Sequence, residues 1–213
     1  MPRSMMTPPK PEDMNEIPRL EAEGWFHFLV KDYKDGERPG GKAAEGFLVD
    51  LQVLEGEHEG QTISLFLQDG SPSHKDGGEF CNKRQCSFLV AANVITIDAL
   101  SAGEAFSYEL DHSRGQQVVA RLKFGKETGG DSTTDPPTPP KRFLDFDGLK
   151  IHHVDDPRSS DVKKNAEALA LIPKELRRPA EYFAPLIGTS GGGGGKKNDP
   201  PAAAAPEFDP SGL

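Results

Sequence analysis

Two segments in the first third of the chain alternate apolar and polar residues with a period of two. The apolar positions are Phe47, Val49, Leu51 and Val53 in EGFLVDLQVLEG (45–56), and Ile63, Leu65 and Leu67 in QTISLFLQDG (61–70). This period places the apolar side chains on one face of a β-strand. The β-rich GWFHFLVKDY (24–33) precedes them, so the three segments predict a meander with hairpin connections.

The period changes after these strands. EFCNKRQCSFLVAANVI (79–95) carries Phe80, Arg84 and Phe88 at helical spacing, and strand signals return in EAFSYELD (104–111) and QQVVARLKFG (116–125). The chain is therefore expected to be mainly β. Three strands, a helix and two strands predict a five-stranded OB-like barrel, the architecture of oligonucleotide- and oligosaccharide-binding domains, with the helix between strands 3 and 4. A six-stranded β-sandwich with one helix is the alternative.

Changes in composition divide the chain into five parts. Residues 1–19 are proline-rich and residues 187–213 are rich in glycine, proline and alanine. Such segments bury too little apolar surface to offset their ordering entropy, so both are expected to be disordered. Residues 20–125 form the OB-like domain, and residues 126–142 a flexible loop. Residues 143–186 are an extension, with a further strand and a helical segment, that packs on the barrel.

Charge and cysteine usage limit the class of protein. Cys81 and Cys86 are expected to be free thiols in a reducing cytoplasm. No stretch has the features of a signal peptide or the length of a transmembrane helix, so a cytoplasmic protein is expected. The formal net charge of −9 disfavours a broadly basic nucleic-acid-binding surface. It is compatible with a local basic stripe.

The segment FDGLKIHHVDDPRSSDV (146–162) contains residue types that bind metals, namely His152, His153, Asp155 and Asp156. In an extended segment the two histidines point to opposite faces. His153 and Asp155 share a face, but a zinc site needs three or four ligands. Asp156 precedes a proline, and such aspartates form turns that end strands. A structural role at a strand end is favoured, with a metal-dependent enzyme or a polar contact to a partner as alternatives.

A binding surface is better supported than an active site. The chain has no nucleophile-elbow motif, and no Walker loop or dinucleotide-binding fingerprint follows a predicted strand. We therefore expect neither catalysis nor a cofactor. On the first strand, Trp25, Lys31 and Tyr33 lie opposite the core-facing phenylalanines. The other candidates share this aromatic or basic character: Phe66 on strand 3, Arg121 and Lys123 on 116–125, and Lys126, Lys141 and Arg142 around the next loop. Rings beside positive charge are typical of single-strand binders.

The glycine-rich tail carries PEFDPSGL, in which Glu207, Phe208 and Asp209 resemble the acidic, hydrophobic tip of bacterial and phage single-strand-binding proteins. Such tips recruit partner proteins. More widely, GFLVDLQVLEGEHEGQTISLFL, ITIDALSAGEAFSYELD, QQVVARLKFG and FDGLKIHHVDDP resemble small phage and prophage proteins encoded among replication and recombination genes. The likeness covers roughly residues 20–185. It implies an OB-like domain that binds single-stranded DNA, and it transfers no catalytic residue.

The sequence therefore predicts a non-catalytic single-stranded DNA-binding protein that acts in phage DNA replication or recombination. The expected partners are single-stranded DNA and, through the tail, replication or recombination proteins. The alternative is a protein-interaction or structural module of a phage or prophage that does not bind nucleic acid.

Overall fold

The sheet has five antiparallel strands. The structure, a computed structural model, describes residues 18–36, 44–103, 106–127 and 141–188. The strands are β1 (Gly24–Asp35), β2 (Gly46–Val53), β3 (Thr62–Gln68), β4 (Gln117–Phe124) and β5 (Leu144–His153). Their order across the sheet is β3-β2-β1-β4-β5, so β1 is central. β3 and β5 are the two edges, and the sheet formed by the described strands is open rather than closed into a barrel.

Four short to medium helices complete the described fold. They are α1 (Glu79–Ala91), α2 (Ile97–Ser101), α3 (Ala166–Ala170) and α4 (Ala184–Gly188), joined in places by single 3₁₀ turns. α1 follows β3 and precedes β4 in the chain. Asp76 accepts hydrogen bonds from the backbone N–H groups of Gly78 (3.0 Å) and Phe80 (2.9 Å), which satisfies donors in the first turn of α1.

The core forms where the period-two pattern places it. The apolar faces of β2 and β3 are buried, and Phe28 on β1, Phe88 on α1 and Ile151 on β5 join the same cluster. Each fully buried side chain of this size contributes about 1.5–3 kcal/mol relative to an exposed one. Burial of the two alternating segments is therefore the main reason that these strands face the helix.

α1 bridges the two edges of the open sheet. The Gln85 amide donates to the Leu67 carbonyl of β3 (3.3 Å), and the Arg84 guanidinium binds the Asp145 carboxylate of β5. At the other end of β3, Leu20 donates its N–H to the Thr62 carbonyl (2.8 Å). Unpaired strand edges favour pairing with other chains, so these contacts protect both edges of the sheet.

The prediction of a strand at residues 104–111 was wrong. Among the described residues of that segment, 106–109 form no strand, and Leu110–Ser113 is a 3₁₀ turn. The place beside β4 is instead taken by β5, which the sequence assigned to an extension. The physical reason is burial: β5 buries Phe146 and Ile151, whereas Phe106 is 37% exposed.

Candidate nucleic-acid interface

Trp25 and Arg121 stand side by side on the outer face of the sheet. They are register partners on β1 and β4, and partners in an antiparallel ladder project from the same face. The neighbouring partners Phe26 and Ala120 are buried in the core, so Trp25 and Arg121 project away from it. The pairing thus brings the single tryptophan of the chain next to a guanidinium group.

The Trp25 indole is half-buried and already stacked on one side. Its ring lies 5.5 Å from the His152 ring, centroid to centroid, at an interplanar angle of 26°. His152 is buried, and this burial, reinforced by the nearby Arg158, lowers its pKa to about 4. The imidazole is therefore neutral at pH 7 and supports the indole as a flat, uncharged neighbour.

Positive charge on β4 and β5 surrounds one carboxylate. Arg121 Nε lies 3.6 Å from Asp147 Oδ2, and Lys150 Nζ lies 2.7 Å from the same oxygen. The hydrogen bond from Lys150, followed by the charges of Arg121 and Lys123, holds the pKa of Asp147 below its usual range. Lys123 is exposed, and it pairs in register with Asp145, whose carboxylate is bound by Arg84. Cations thus outnumber carboxylates on this part of the surface.

A second basic and aromatic group lies where β4 ends and β5 begins. Three of the residues predicted for the interface are exposed there: Lys126, Lys141 and Arg142. The Arg142 guanidinium lies 2.7 Å from the Glu127 carboxylate. A cavity of about 380 Å³ at this corner is lined by Arg19, Phe124, Lys141, Arg142, Phe143 and neighbouring residues. Because Gly125 donates its N–H to the Phe143 carbonyl (2.9 Å), the two sides of the corner are held together.

Sequence reasoning missed two residues of this corner. Phe143 is 56% exposed, and Arg19 lines the same cavity. Phe143 directly follows Lys141 and Arg142, so an aromatic residue beside two cations was a usable signal. Arg19 gave no such signal, since only its pairing with Thr62 of β3 brings it to this end of the sheet.

The prediction that Tyr33 shares a face with Trp25 was wrong. The ladder between β1 and β2 shifts register between Val30 and Asp32, which inserts one extra residue, Lys31. A bulge of one residue reverses the faces of all residues that follow it. Tyr33 consequently pairs with Val49 and packs against the core.

Lys31 and Phe66 do not join the Trp25 group. Lys31 is exposed at the bulge, and Phe66 is half-buried on β3, in register with Leu48 of β2 and through it with Lys34 of β1. Trp25 and Lys34 are separated by nine residues of β1, about 30 Å at the rise of a β-strand. The predicted residues therefore divide into one group around Trp25 and the corner, and two residues, Lys31 and Phe66, that lie apart from it.

The histidine and aspartate pairs close the structure after β5. β5 ends at His153, whose Nε2 lies 2.9 Å from Asn93 Nδ2 and whose ring stacks on Phe183. Asp156 accepts from the Arg158 N–H (2.9 Å) and begins a 3₁₀ turn. Both ring nitrogens of His153 and both carboxylate oxygens of Asp156 thus contact protein, which supports the structural interpretation of the strand end.

Asp155 ties the strand end to the C-terminal part of the described chain. Its carboxylate accepts from Arg177 Nε (3.0 and 2.8 Å) and from the Arg178 N–H (2.9 Å). Burial opposes ionisation, but these hydrogen bonds and the Arg177 charge hold the pKa of Asp155 below its usual value. Within the residues that the structure describes, no group of three or more histidine, cysteine, aspartate or glutamate side chains is placed to bind a metal ion.

The chain after β5 returns across the outer face of the sheet. Asn165 donates its N–H to His27 Nδ1 (3.1 Å), and Gln117 donates to the Ala168 carbonyl (2.6 Å). His27 is buried by this segment, which lowers its pKa to about 4 against the opposing effect of Gln117. The return segment therefore covers the outer face at His27 and leaves Arg121 and Lys123 of β4 exposed.

Comparisons of the sequence with protein-family models and with curated proteins give no match. Across the four described ranges, no helix is both long and apolar enough to cross a membrane. Glu207, Phe208 and Asp209, the predicted partner-binding residues, lie outside the described residues.

Proposed function

We propose that the protein binds single-stranded DNA without catalysing a reaction on it. The observation that carries the proposal is the register of β1 against β4, which sets Trp25 beside Arg121 on one exposed face. A base of any identity can stack on an aromatic ring, and cations beside the ring can neutralise the adjoining phosphates. Lys123, Lys126 and the β4–β5 corner continue the positive charge away from Trp25.

The fold that we propose for this function is an OB-like barrel with one wide seam. β1 pairs with both β2 and β4, and the two remaining strands extend the sheet on either side. The seam between β3 and β5 is spanned by α1 through Gln85 and Arg84. OB-folds bind oligonucleotides on one face of the barrel with its flanking loops. Here the proposed face is β1 and β4 with the start of β5.

The proposed biological setting is phage DNA replication or recombination in the cytoplasm of a host cell. It rests on the resemblance of residues 20–185 to small phage and prophage proteins in the order of their elements and in residue composition. In this proposal Glu207, Phe208 and Asp209 bind replication or recombination proteins while the sheet holds DNA. The function needs no cofactor, because stacking and charge neutralisation both come from side chains of the chain itself.

The proposal makes the affinity depend on a small set of cations. Five predicted residues remain on the proposed path: Arg121, Lys123, Lys126, Lys141 and Arg142. Single strands lose affinity with salt at a slope of about −0.7 per neutralised phosphate in a log–log plot. Five contacts give a slope of about −3.5. The net charge of −9 adds long-range repulsion, so binding is expected to be strongest at low salt.

The test is fluorescence anisotropy of a labelled single-stranded oligonucleotide with the double variant Arg121→Gln/Lys123→Gln. We expect the affinity to fall at least tenfold, because two charged contacts are removed. The matched control is Lys34→Gln/Lys75→Gln, which removes the same charge from exposed positions outside the proposed path. Equal loss in both variants would contradict the assigned surface. Absence of binding by the wild-type protein would favour the alternative, a protein-interaction or structural module.

A further inference from the structure

A pocket of about 580 Å³ opens beside Trp25 on the side of β1 away from β4. Its walls come from Trp25 and Phe26 on β1, from Glu55 and His58 after β2, and from Arg158 and Val162 after β5. The volume lies in the range of small-ligand sites. His152, which covers one face of the indole, is not part of these walls, so the pocket meets another side of the ring.

The aromatic wall of the pocket is held in place by its own contacts. Phe26 is buried, and its ring lies 5.9 Å from the His58 ring in an edge-on arrangement. Trp25 is supported from behind by His152. A planar guest that entered the pocket would therefore meet the Trp25 ring already positioned for stacking, which reduces the entropy lost on binding.

The charged side chains that line the pocket are three carboxylates and two cations, and both cations are already paired with carboxylates. Glu55, Glu57 and Asp161 contribute carboxylates. The neighbouring cations are engaged: Lys163 with Glu55, and Arg158 with Asp156, which lies outside the pocket (2.7 Å). A phosphate would meet three carboxylates here, whereas the amino group of a neutral base would meet acceptors of the kind that bind the N4 amino group of cytosine.

We infer that this pocket receives one base of a bound single strand and favours cytosine over thymine; the inference rests on the proposed function. Cytosine and thymine have rings of the same size, but only cytosine carries an exocyclic amino group. Arg121, on the β4 side of Trp25, holds the backbone, the indole stacks on the base, and Glu55 accepts a hydrogen bond from the amino group. The three parts lie in this order across β1.

The experiment compares (dC) and (dT) oligonucleotides of equal length by anisotropy, with Trp25 fluorescence recorded in parallel. We expect the wild-type protein to bind the cytosine strand roughly tenfold more tightly, at the low end of discrimination by a well-formed base contact. Glu55→Gln should reduce this ratio to within about twofold. Glu59→Gln is the control, because it makes the same charge change in the same turn outside the pocket.

The outcomes separate the two proposals. Because both substitutions raise the net charge by one, a general gain in affinity appears in both variants and the cytosine-to-thymine ratio remains the readout. Equal affinities of the wild-type protein for the two strands would overturn the pocket and leave the proposed function standing. No binding of either strand would overturn both. A ratio unchanged in Glu55→Gln and in a second variant, Glu57→Gln, would also overturn the pocket.

Discussion

Lowering the pH from 7.5 to 5 is predicted to destabilise the fold through two buried histidines. The pKa of His27 and that of His152 are each lowered from 6.5 to about 4, in both cases mainly by burial. The Nδ1 atom of His27 accepts the Asn165 N–H, so protonation at that atom would break the bond. Both imidazoles are therefore protonated less readily in the folded protein than in the unfolded chain.

The magnitude follows from proton linkage. Between pH 6.5 and about 4 the unfolded state binds more protons than the folded state, so stability falls as the pH falls. From 6.5 to 5 the change is 1.5 pH units, and each unit corresponds to about 1.36 kcal/mol per group. Each histidine thus removes about 2 kcal/mol at pH 5, and the two together about 4 kcal/mol, out of a typical total of about 5–15 kcal/mol. His153, whose pKa burial also lowers, adds in the same direction.

The assay is urea-induced unfolding at pH 7.5 and at pH 5, followed by circular dichroism. His152→Gln should reduce the difference between the two free energies of unfolding by about 2 kcal/mol, whatever it does to stability at pH 7.5. His112→Gln is the control, because His112 is exposed. If the variant does not fold, the imidazole titrations of the wild-type protein can be followed by NMR instead. A wild-type stability independent of pH in this range, or histidine titrations near 6.5, would refute the reasoning.

Three further predictions test separate parts of the account. Gly78→Ala should destabilise the protein clearly more than Gly77→Ala in thermal unfolding. Both glycines have positive φ (84° and 65°), but only at Gly78 would an added Cβ lie 2.3 Å from a backbone nitrogen, that of Ser71. Equal effects of the two substitutions would contradict this close approach. Asn165→Ala should lower the free energy of unfolding by about 1–2 kcal/mol, since its side chain caps α3 at 2.9 Å and donates to the Leu54 carbonyl, and a change below 0.3 kcal/mol in urea unfolding would contradict that role. Arg121→Gln should make the salt slope of oligonucleotide binding shallower by about 0.7, with an unchanged slope arguing against a phosphate contact.

Periodicity was sufficient for the strands whose neighbours are close in the chain. β1, β2 and β3 form consecutive antiparallel pairs. The apolar faces of β2 and β3 match the predicted ones, and the face of β1 matches as far as the bulge at Lys31, because a period of two fixes which residues share a face. The fifth strand could not be assigned in the same way. Residues 104–111 and 143–154 both have strand character, and only the competition for the free side of β4 decides between them.

The candidate site was predictable in part for a similar reason. Trp25 and Arg121 were both identified from residue type, but their adjacency depends on the register between β1 and β4, which the sequence does not reveal. Tyr33 was assigned to the wrong face because a single bulged residue, Lys31, reverses the faces of the rest of the strand. No local sequence pattern indicates this bulge. Burial of His27 by residues 165–168 is likewise a long-range contact.

The pairing of Trp25 with the β4 cations is tested most directly by titrating the protein with a single-stranded oligonucleotide while following its tryptophan fluorescence at several salt concentrations. The chain has one tryptophan, so every change in this signal reports on Trp25. The account predicts saturable quenching and an affinity that falls with salt at a log–log slope of about −3.5. Binding without quenching would remove Trp25 from the interface. No binding by either fluorescence or anisotropy at low salt would contradict the account.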